Sequence, residues 1–418
     1  MGHGLSAFQI MAVLIALVAA VGTLNARTLK LPQGVAMVLA GLIGALIVRA
    51  LGQGAAPPLA SATQMIGQVD FQQAVLGYLL AFLLFAGAMQ VDFAELRRRR
   101  LAVLGLATAG VLVSTVIVGF GLYALAVMLG LSLSLPYAFV FATLISATDP
   151  VAVLAMVKHG SLSPRLTAVL QGEALFNDGV AIVAFSAMLS VATGLGAPHL
   201  DQSLLRVLVQ AGGGLALGAA AGWVSVKSLK AVDDYPLEAA ITLACAMGAY
   251  SLAEHFHLSG AIAAVAAGLV VGDQEPTEAR RDLRAFWLLV DELLNALLFL
   301  LLGLQVLVLP FDLRQVWLWA AALPLVLLAR LAAVAPWGAW FHLKEDERGA
   351  SKILTWGGLR GALSLALALQ MPEGPARDSV LGLTYAVVIF SVVVQGLSFA
   401  PLAARWSGNR LSQPPAAE

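Results

Sequence analysis

Apolar runs of about 17 to 25 residues follow one another along this chain, and its charges gather in the short stretches between them. That is the length an α-helix needs to cross the ~30 Å hydrocarbon core of a bilayer. In lipid the backbone must satisfy its own polar groups, so a series of such runs folds as a helix bundle. Thirteen runs are legible, at about 5–24, 33–51, 71–91, 101–130, 135–157, 167–193, 203–226, 236–253, 258–272, 285–309, 315–341, 350–370 and 379–402. Composition agrees: 60% of residues are apolar, 11% are charged and the mean hydropathy is +0.89, whereas soluble domains carry about 25% charged residues. The expected fold is an all-α polytopic membrane protein of about thirteen transmembrane helices.

The 24 Lys and Arg residues test that count. Eighteen lie in the stretches after odd-numbered runs, including arginines 97–100; four, Arg49, Arg206, Arg314 and Arg377, lie on the other side; Arg330 and Arg360 fall inside runs. Cytoplasmic loops attract the Lys/Arg excess, so the N-terminus is expected outside and the C-terminus in the cytoplasm of a multi-pass cell-membrane protein. The run LRRRR at 96–100 reads as an anchor at the anionic inner leaflet. The first apolar run lacks a cationic leader and reads as a retained span. Residues 1–403 then form one membrane domain and 404–418 a short cytoplasmic tail. With Lys+Arg 24 against Asp+Glu 24, no global positive field attracts nucleic acid; the partner that composition implies is the lipid bilayer. The single cysteine, Cys245, has no intrachain disulfide partner.

An internal repeat is visible. LPQGVAMVLAGL (31–42) aligns without gaps to LSGAIAAVAAGL (258–269), sharing six of twelve residues, and LLAFLLFAGAMQV (79–91) aligns to LLNALLFLLLGLQV (293–306) with one gap. Both pairs are displaced by seven runs. An odd displacement reverses the second copy, which is the inverted-topology arrangement of many secondary transporters, with ion sites near the midplane on broken helices. The same offset pairs the fifth run with the twelfth.

Those two runs are built to break. The fifth contains SATDPVAV (146–153), an aspartate before a proline in an otherwise apolar segment. Pro150 has no N–H for the carbonyl of Ser146, and its ring disfavours helical geometry at Asp149. Carbonyls near Ser146 and Thr148 are thereby freed to face a cation or a watery cavity. In the twelfth run Gly357, Gly358 and Gly361 flank Arg360 and Ser364 and weaken the helix. The sixth run carries QGEALFNDGVAIVAF, in which Glu173 and Asn177, and Ala174 and Asp178, are four apart on adjoining stripes of one face. An intramembrane ionisable residue costs at least about 2.5–3.5 kcal/mol on insertion scales, so Asp149, Glu173 and Asp178 together point to function. Arg360 can neutralise one of them, and protons and cations compete for the rest.

ATDPVAV, then GEALFNDG about twenty residues later, then GGLRGALS make the chain resemble the cation:proton antiporter-1 family of sodium/proton exchangers. The resemblance spans the whole membrane region. It implies a thirteen-helix fold, a homodimer, and core helices (about 101–193 and 315–402) that move against dimerisation or scaffold helices (about 5–91 and 203–309). It implies that Asp178 binds monovalent cation and proton alternately, that Thr148 supplies a backbone carbonyl to the cation and that Asp149 braces the unwound crossing. By the same resemblance Glu173 pairs with Arg360, and Asn177 holds the broken segments by hydrogen bonds, with Pro150 and Ser146 supporting the site. Relatives often carry serine where this chain has Ala174, so sodium affinity is expected to suffer. The Asn177–Asp178 pair resembles the electroneutral class, which exchanges one proton for one sodium. Such exchange lacks the voltage term of about 2.3 kcal/mol per charge per 100 mV.

Other readings are weighed on residues. An intramembrane aspartyl protease needs Gly-x-Gly-Asp, which is absent around Asp178. A cation channel shares the carboxylates, but inverted repeats with broken helices favour alternating access. A potassium/proton antiporter of the same architecture stays open, because site residues do not reveal cavity size. No cofactor is expected: Gly212, Gly213, Gly214 and Gly218 have no strand or P-loop lysine and read as helix packing. The transported species are Na+ (or Li+ or K+) and H+. His255 and His257 read as solvated, and Arg330 as snorkelling or paired with a carboxylate that the sequence does not identify.

Overall fold

The computed structural model describes residues 7–51, 79–149, 162–194, 200–274, 278–307 and 315–407, and every regular element among them is helical. In chain order these are α1 (Ala7–Leu24), α2 (Gln33–Leu51), α3 (Leu80–Met89), α4 (Phe93–Arg98), α5 (Arg100–Gly105), α6 (Val111–Met128), α7 (Leu135–Ser146), α8 (Pro164–Ala192) and α9 (Leu200–Leu229). They continue as α10 (Tyr235–His255), α11 (Gly260–Gly272), α12 (Glu278–Leu304), α13 (Val316–Glu345), α14 (Ala350–Trp356), α15 (Ala362–Ala368), α16 (Pro375–Phe390) and α17 (Gly396–Trp406). Single π-helical turns join α5 to α6 (Leu106–Gly110) and α16 to α17 (Ser391–Gln395). Eight helical spans among the described residues are long and apolar enough to cross a membrane. Their outer faces carry large apolar side chains, such as Leu112, Phe120, Trp317 and Leu328, all exposed. In water these would form aggregation-prone patches; against lipid they are ordinary.

Local chemistry sets the helix boundaries. Ser163 begins α8 by accepting the Leu166 N–H at 3.3 Å, with Pro164 in the first turn, where its missing N–H costs nothing. Asp234 and Ser259 cap α10 and α11 in the same way. Asp346 ends α13 in the left-handed conformation. The segment at 71–78 and residues 150–157 of the 135–157 run, Pro150 among them, lie outside the described residues.

The chain divides into two compact units. The first holds Met1–Gln90, His199–Leu313 and Ala362–Tyr385. Its core is built around Trp287, fully buried against Phe85 at a ring-centroid distance of 4.7 Å, with its indole N–H donated to the Thr242 hydroxyl at 2.9 Å. Here the stretches that align as a repeat make equivalent contacts. A Cβ on Gly41 of α2 would lie 2.5 Å from the Leu300 carbonyl and 3.0 Å from Gly303 in α12. A Cβ on Gly268 of α11 would lie 2.5 Å from the Phe85 carbonyl and 2.9 Å from Ala88 in α3. In the alignment Gly41 matches Gly268; with its one gap placed after the shared LLF, Gly303 matches Ala88, and Leu300 follows directly on Phe299, the match of Phe85. Without a hydrophobic drive between helices in lipid, such small-residue crossings supply the packing.

The second unit holds Val91–Pro198, Arg314–Gly361 and Ala386–Glu418. In it α8 packs on α7, and α13 packs on α6 and α14. The arginine run is divided in use. Arg99 is drawn inward, pairing with Glu345 and with Glu95 at 3.1 Å, while Arg97, Arg98 and Arg100 stay exposed.

The glycine crossings yield a test. Overpacking a tight contact costs about 1–3 kcal/mol, so Gly41→Ala and Gly268→Ala should each lower the melting temperature in detergent. Gly44→Ala, on α2 with nothing within 4 Å of its Cβ, should leave it unchanged or raise it.

Candidate functional site

The candidate site lies in the second unit, where two helices stop inside the apolar region. Helix α7 ends at Ser146, Ala147 turns to an extended φ −61°, ψ 136°, and 147–149 are not helical. Helix α14 ends at Trp356, 357–361 are not helical, and a helix resumes at Ala362. The two unwound segments meet: the Asp149 N–H donates to the Leu359 carbonyl at 2.8 Å. A side chain at 361 would collide with the Asp149 carboxyl, so glycine there permits the approach.

Each broken helix leaves unsatisfied carbonyls and the negative end of its dipole, and each receives an arginine. The Arg360 guanidinium donates to the carbonyls of Ser146 at 2.6 Å and Ala147 at 2.9 Å, at the end of α7. Arg330 donates to the Leu354 carbonyl, in the last turn of α14, through Nε at 3.2 Å and Nη2 at 3.1 Å. Arg330 also grips Glu173 with two parallel bonds, Nη1 to Oε1 and Nη2 to Oε2 at 2.8 Å. All three ionisable side chains are buried.

The expected pairing of Glu173 with Arg360 is therefore corrected: Glu173 pairs with Arg330. Residue 358 is glycine, and a Cβ there would stand 2.5 Å from Arg330 Nε, so the α14 break itself makes room for Arg330 to reach α8. Arg360 lies within electrostatic reach of Glu173 but is committed to carbonyl oxygens of α7 and its extension. The carbonyls of Ser146 and Ala147, freed by the break, thus have a protein partner.

Asn177 links α8 to the α7 break. Its Oδ1 accepts the Thr148 N–H at 3.3 Å, and its Nδ2 donates to the Thr148 hydroxyl at 2.7 Å. This leaves the next residue, Asp178, buried and within electrostatic reach of the partly buried Asp149. Ala174, one turn before Asp178, is fully buried and offers no oxygen from its side chain. Asp149, Thr148, Glu173, Asn177, Asp178, Arg360 and Ser146 thus gather in one unit, whereas Pro150 lies outside the described residues.

Two contacts were not legible beforehand. The Arg360 N–H donates to the Ser391 hydroxyl at 2.8 Å, and the Gln395 amide donates to the Trp356 carbonyl at 3.1 Å. In sequence these are polar residues in an apolar run, with nothing to name their partners. Arg330 did carry a signal, as a second cation inside an apolar run.

Removing one partner of a buried ion pair costs about 3–5 kcal/mol because the other charge is stranded. Arg330→Ala should therefore lower the melting temperature in detergent far more than Arg348→Ala at an exposed position. Adding Glu173→Leu to Arg330→Met should recover much of the loss, whereas adding it to Arg360→Met should not.

The chain is similar to known sodium/proton antiporters. Residues 13–405 match the family model for the transmembrane sodium/hydrogen exchanger. The Na(+)/H(+) antiporter NhaP of Pseudomonas aeruginosa is 38% identical over 97% of this chain and 98% of its own length. The Na(+)/H(+) antiporter NhaH of Halobacillus aidingensis is 37% identical over 90% of this chain and 92% of its own. Among solved structures, the sodium proton antiporter MjNhaP1 of Methanocaldococcus jannaschii at pH 8 superposes with a TM-score of 0.74 at 20% identity, covering 96% of this chain and 98% of that one, which shows a shared fold. This multi-pass membrane protein belongs to the sodium/hydrogen exchanger family of transporters.

Proposed function

We propose that this chain exchanges sodium or lithium for protons, one for one, by alternating access, with cation and proton competing for Asp178. The observation that carries the reading is the charge balance around that carboxylate. Glu173 and Arg330 cancel within their bidentate pair. Asp149, Asp178 and Arg360 then sum to one negative charge when both carboxylates are ionised. Buried net charge is costly, so the site favours occupation by one monovalent cation or one proton. Either restores neutrality, and holding both at once would leave an uncompensated positive charge. Mutual exclusion of this kind is what obligatory exchange requires. Because each direction carries one charge, transport is electroneutral and gradients alone set its direction.

In this reading Asp178 and the Thr148 carbonyl hold the cation, Asp149 braces the crossing, and Asn177 sets the position of Thr148. Glu173, held by Arg330, and Arg360, held on Ser146 and Ala147, keep the broken helices at a fixed spacing. The matched contacts of Gly41 and Gly268 support an inverted repeat within a fold of thirteen membrane helices. The remaining elements of the reading are a homodimer, a core group of helices moving against a scaffold group, an outside N-terminus and a cytoplasmic C-terminus.

The test is reconstitution into vesicles loaded with a pH-sensitive dye. Sodium and lithium should drive proton movement, insensitively to an imposed membrane potential. A response to potassium instead would turn the reading to a potassium/proton antiporter, and voltage-driven flux would reject one-for-one exchange. Asp178→Asn should abolish the response while leaving a folded protein. Ala174→Ser, which adds an oxygen one turn from Asp178, should lower the KM for sodium or lithium with the maximal rate unchanged or reduced. Unchanged KM at every pH would mean that residue 174 does not face the ion.

A further inference from the structure

The break at 357–361 exposes backbone groups at membrane depth, where each one left unsatisfied costs several kcal/mol. Two of them are met by the same π-helical turn. Ser391 and Gln395, its first and last residues, are both buried. The Ser391 hydroxyl accepts the N–H of Arg360 at 2.8 Å, and the Gln395 amide donates to the carbonyl of Trp356 at 3.1 Å. Trp356 is the last residue of α14, and Arg360 lies near the far end of the break. Two side chains four residues apart thus grip the break from both ends. π turns inserted in α-helices recur at functional sites. This one divides a continuous apolar span, Pro375–Trp406, and presents neutral polar groups there.

The other break has the same device. The N–H of Thr148 donates to Asn177, 29 residues later on the next long helix. The N–H of Arg360 donates to Ser391, 31 residues later in the π turn between α16 and α17, within the span that follows α15. In each half a broken segment lends one N–H to a buried side-chain oxygen of the following membrane helix. Under the inverted repeat, the span that carries Ser391 is the counterpart of α8, which carries Asn177.

We propose that Ser391 and Gln395 are positioning residues for exchange, a role that rests on the antiporter reading. They fix the backbone from Trp356 to Arg360 so that the Arg360 guanidinium reaches the Ser146 and Ala147 carbonyls, and through them they set the unwound segment bearing Thr148 and Asp149. Neither residue binds the ion. Their loss changes the shape of the site and hence affinity for the cation, while the Asp178 carboxyl remains.

The experiment compares wild type with Ser391→Ala, Ser391→Thr and Gln395→Met in reconstituted vesicles. Ser391→Ala should raise the KM for sodium roughly three- to tenfold, the size expected for losing one buried hydrogen bond. Ser391→Thr keeps the acceptor and should return KM to within about twofold of wild type by the same measure. Gln395→Met should raise KM as Ser391→Ala does. With Arg360→Lys already present, Ser391→Ala should add little further change, because its effect passes through that arginine. Hydrogen–deuterium exchange supplies a readout that needs no transport: amides at 357–362 should exchange faster in Ser391→Ala and return to the wild-type rate in Ser391→Thr. An unchanged KM in Ser391→Ala, a melting-temperature loss without a KM change, or failure of Ser391→Thr to rescue would each overturn the proposal. If wild type moves no protons on sodium addition, the antiporter reading fails by itself, and the exchange measurement still decides whether the turn holds the break.

Discussion

The bonds from Arg360 to the carbonyls of Ser146 and Ala147 are the interaction on which the rest of the site depends. Helix α7 ends at membrane depth with its dipole pointing into the protein and with backbone oxygens that water cannot reach. Left alone, those oxygens would repel the second unwound segment. A guanidinium presents several donors in a fixed plane and keeps its charge in surroundings where an ammonium would readily lose it. It can therefore bind two successive carbonyls and offset the helix dipole together. With α7 held there, Asp149 reaches the Leu359 carbonyl and Asn177 reaches Thr148. A lysine would supply the charge but not the paired geometry.

The second arginine uses the same principle differently. Arg330 caps the end of α14 and takes Glu173 in the same grip, so it ties the α8 carboxylate to the α14 break. This removes Glu173 from the set of charges that a transported ion would meet. Five buried or partly buried ionisable groups would be an improbable burden for packing alone. Divided into a closed pair and an open trio, they make one neutral clamp and, in the proposed reading, one site whose charge a single cation or proton completes. In that reading the clamp contributes rigidity and the trio contributes exchange.

The first unit solves a separate problem, the close approach of its helices. Its helices approach through glycine and alanine, because in lipid association depends on close packing and not on escape from water. Gly41 against Leu300 and Gly303, and Gly268 against Phe85 and Ala88, are similar contacts made by two aligned glycines on aligned stretches. Repetition in the sequence is thus expressed as repetition in packing.

Much of this was legible beforehand, because lipid simplifies the physics. Uninterrupted apolar length dictates helices, and among the described residues the long helices fall on the apolar runs, even to the separation of α10 from α11. Asp149 before Pro150 and the glycines around Arg360 marked where helices stop, since proline and glycine act on their own backbone. Glu173, Asn177 and Asp178 shared a face through helical period alone. The sequence by itself therefore determined the membrane class, the broken helices and the family motifs. Which arginine takes Glu173 was decided only in three dimensions: both arginines have the charge, and the choice turned on which could approach once residue 358 was glycine and Arg360 was held by α7. The same is true of Ser391 and Gln395, whose partners lie 31 and 39 residues away. Periodicity and propensity are local, whereas an ion pair or a backbone clamp across helices depends on how those helices pack.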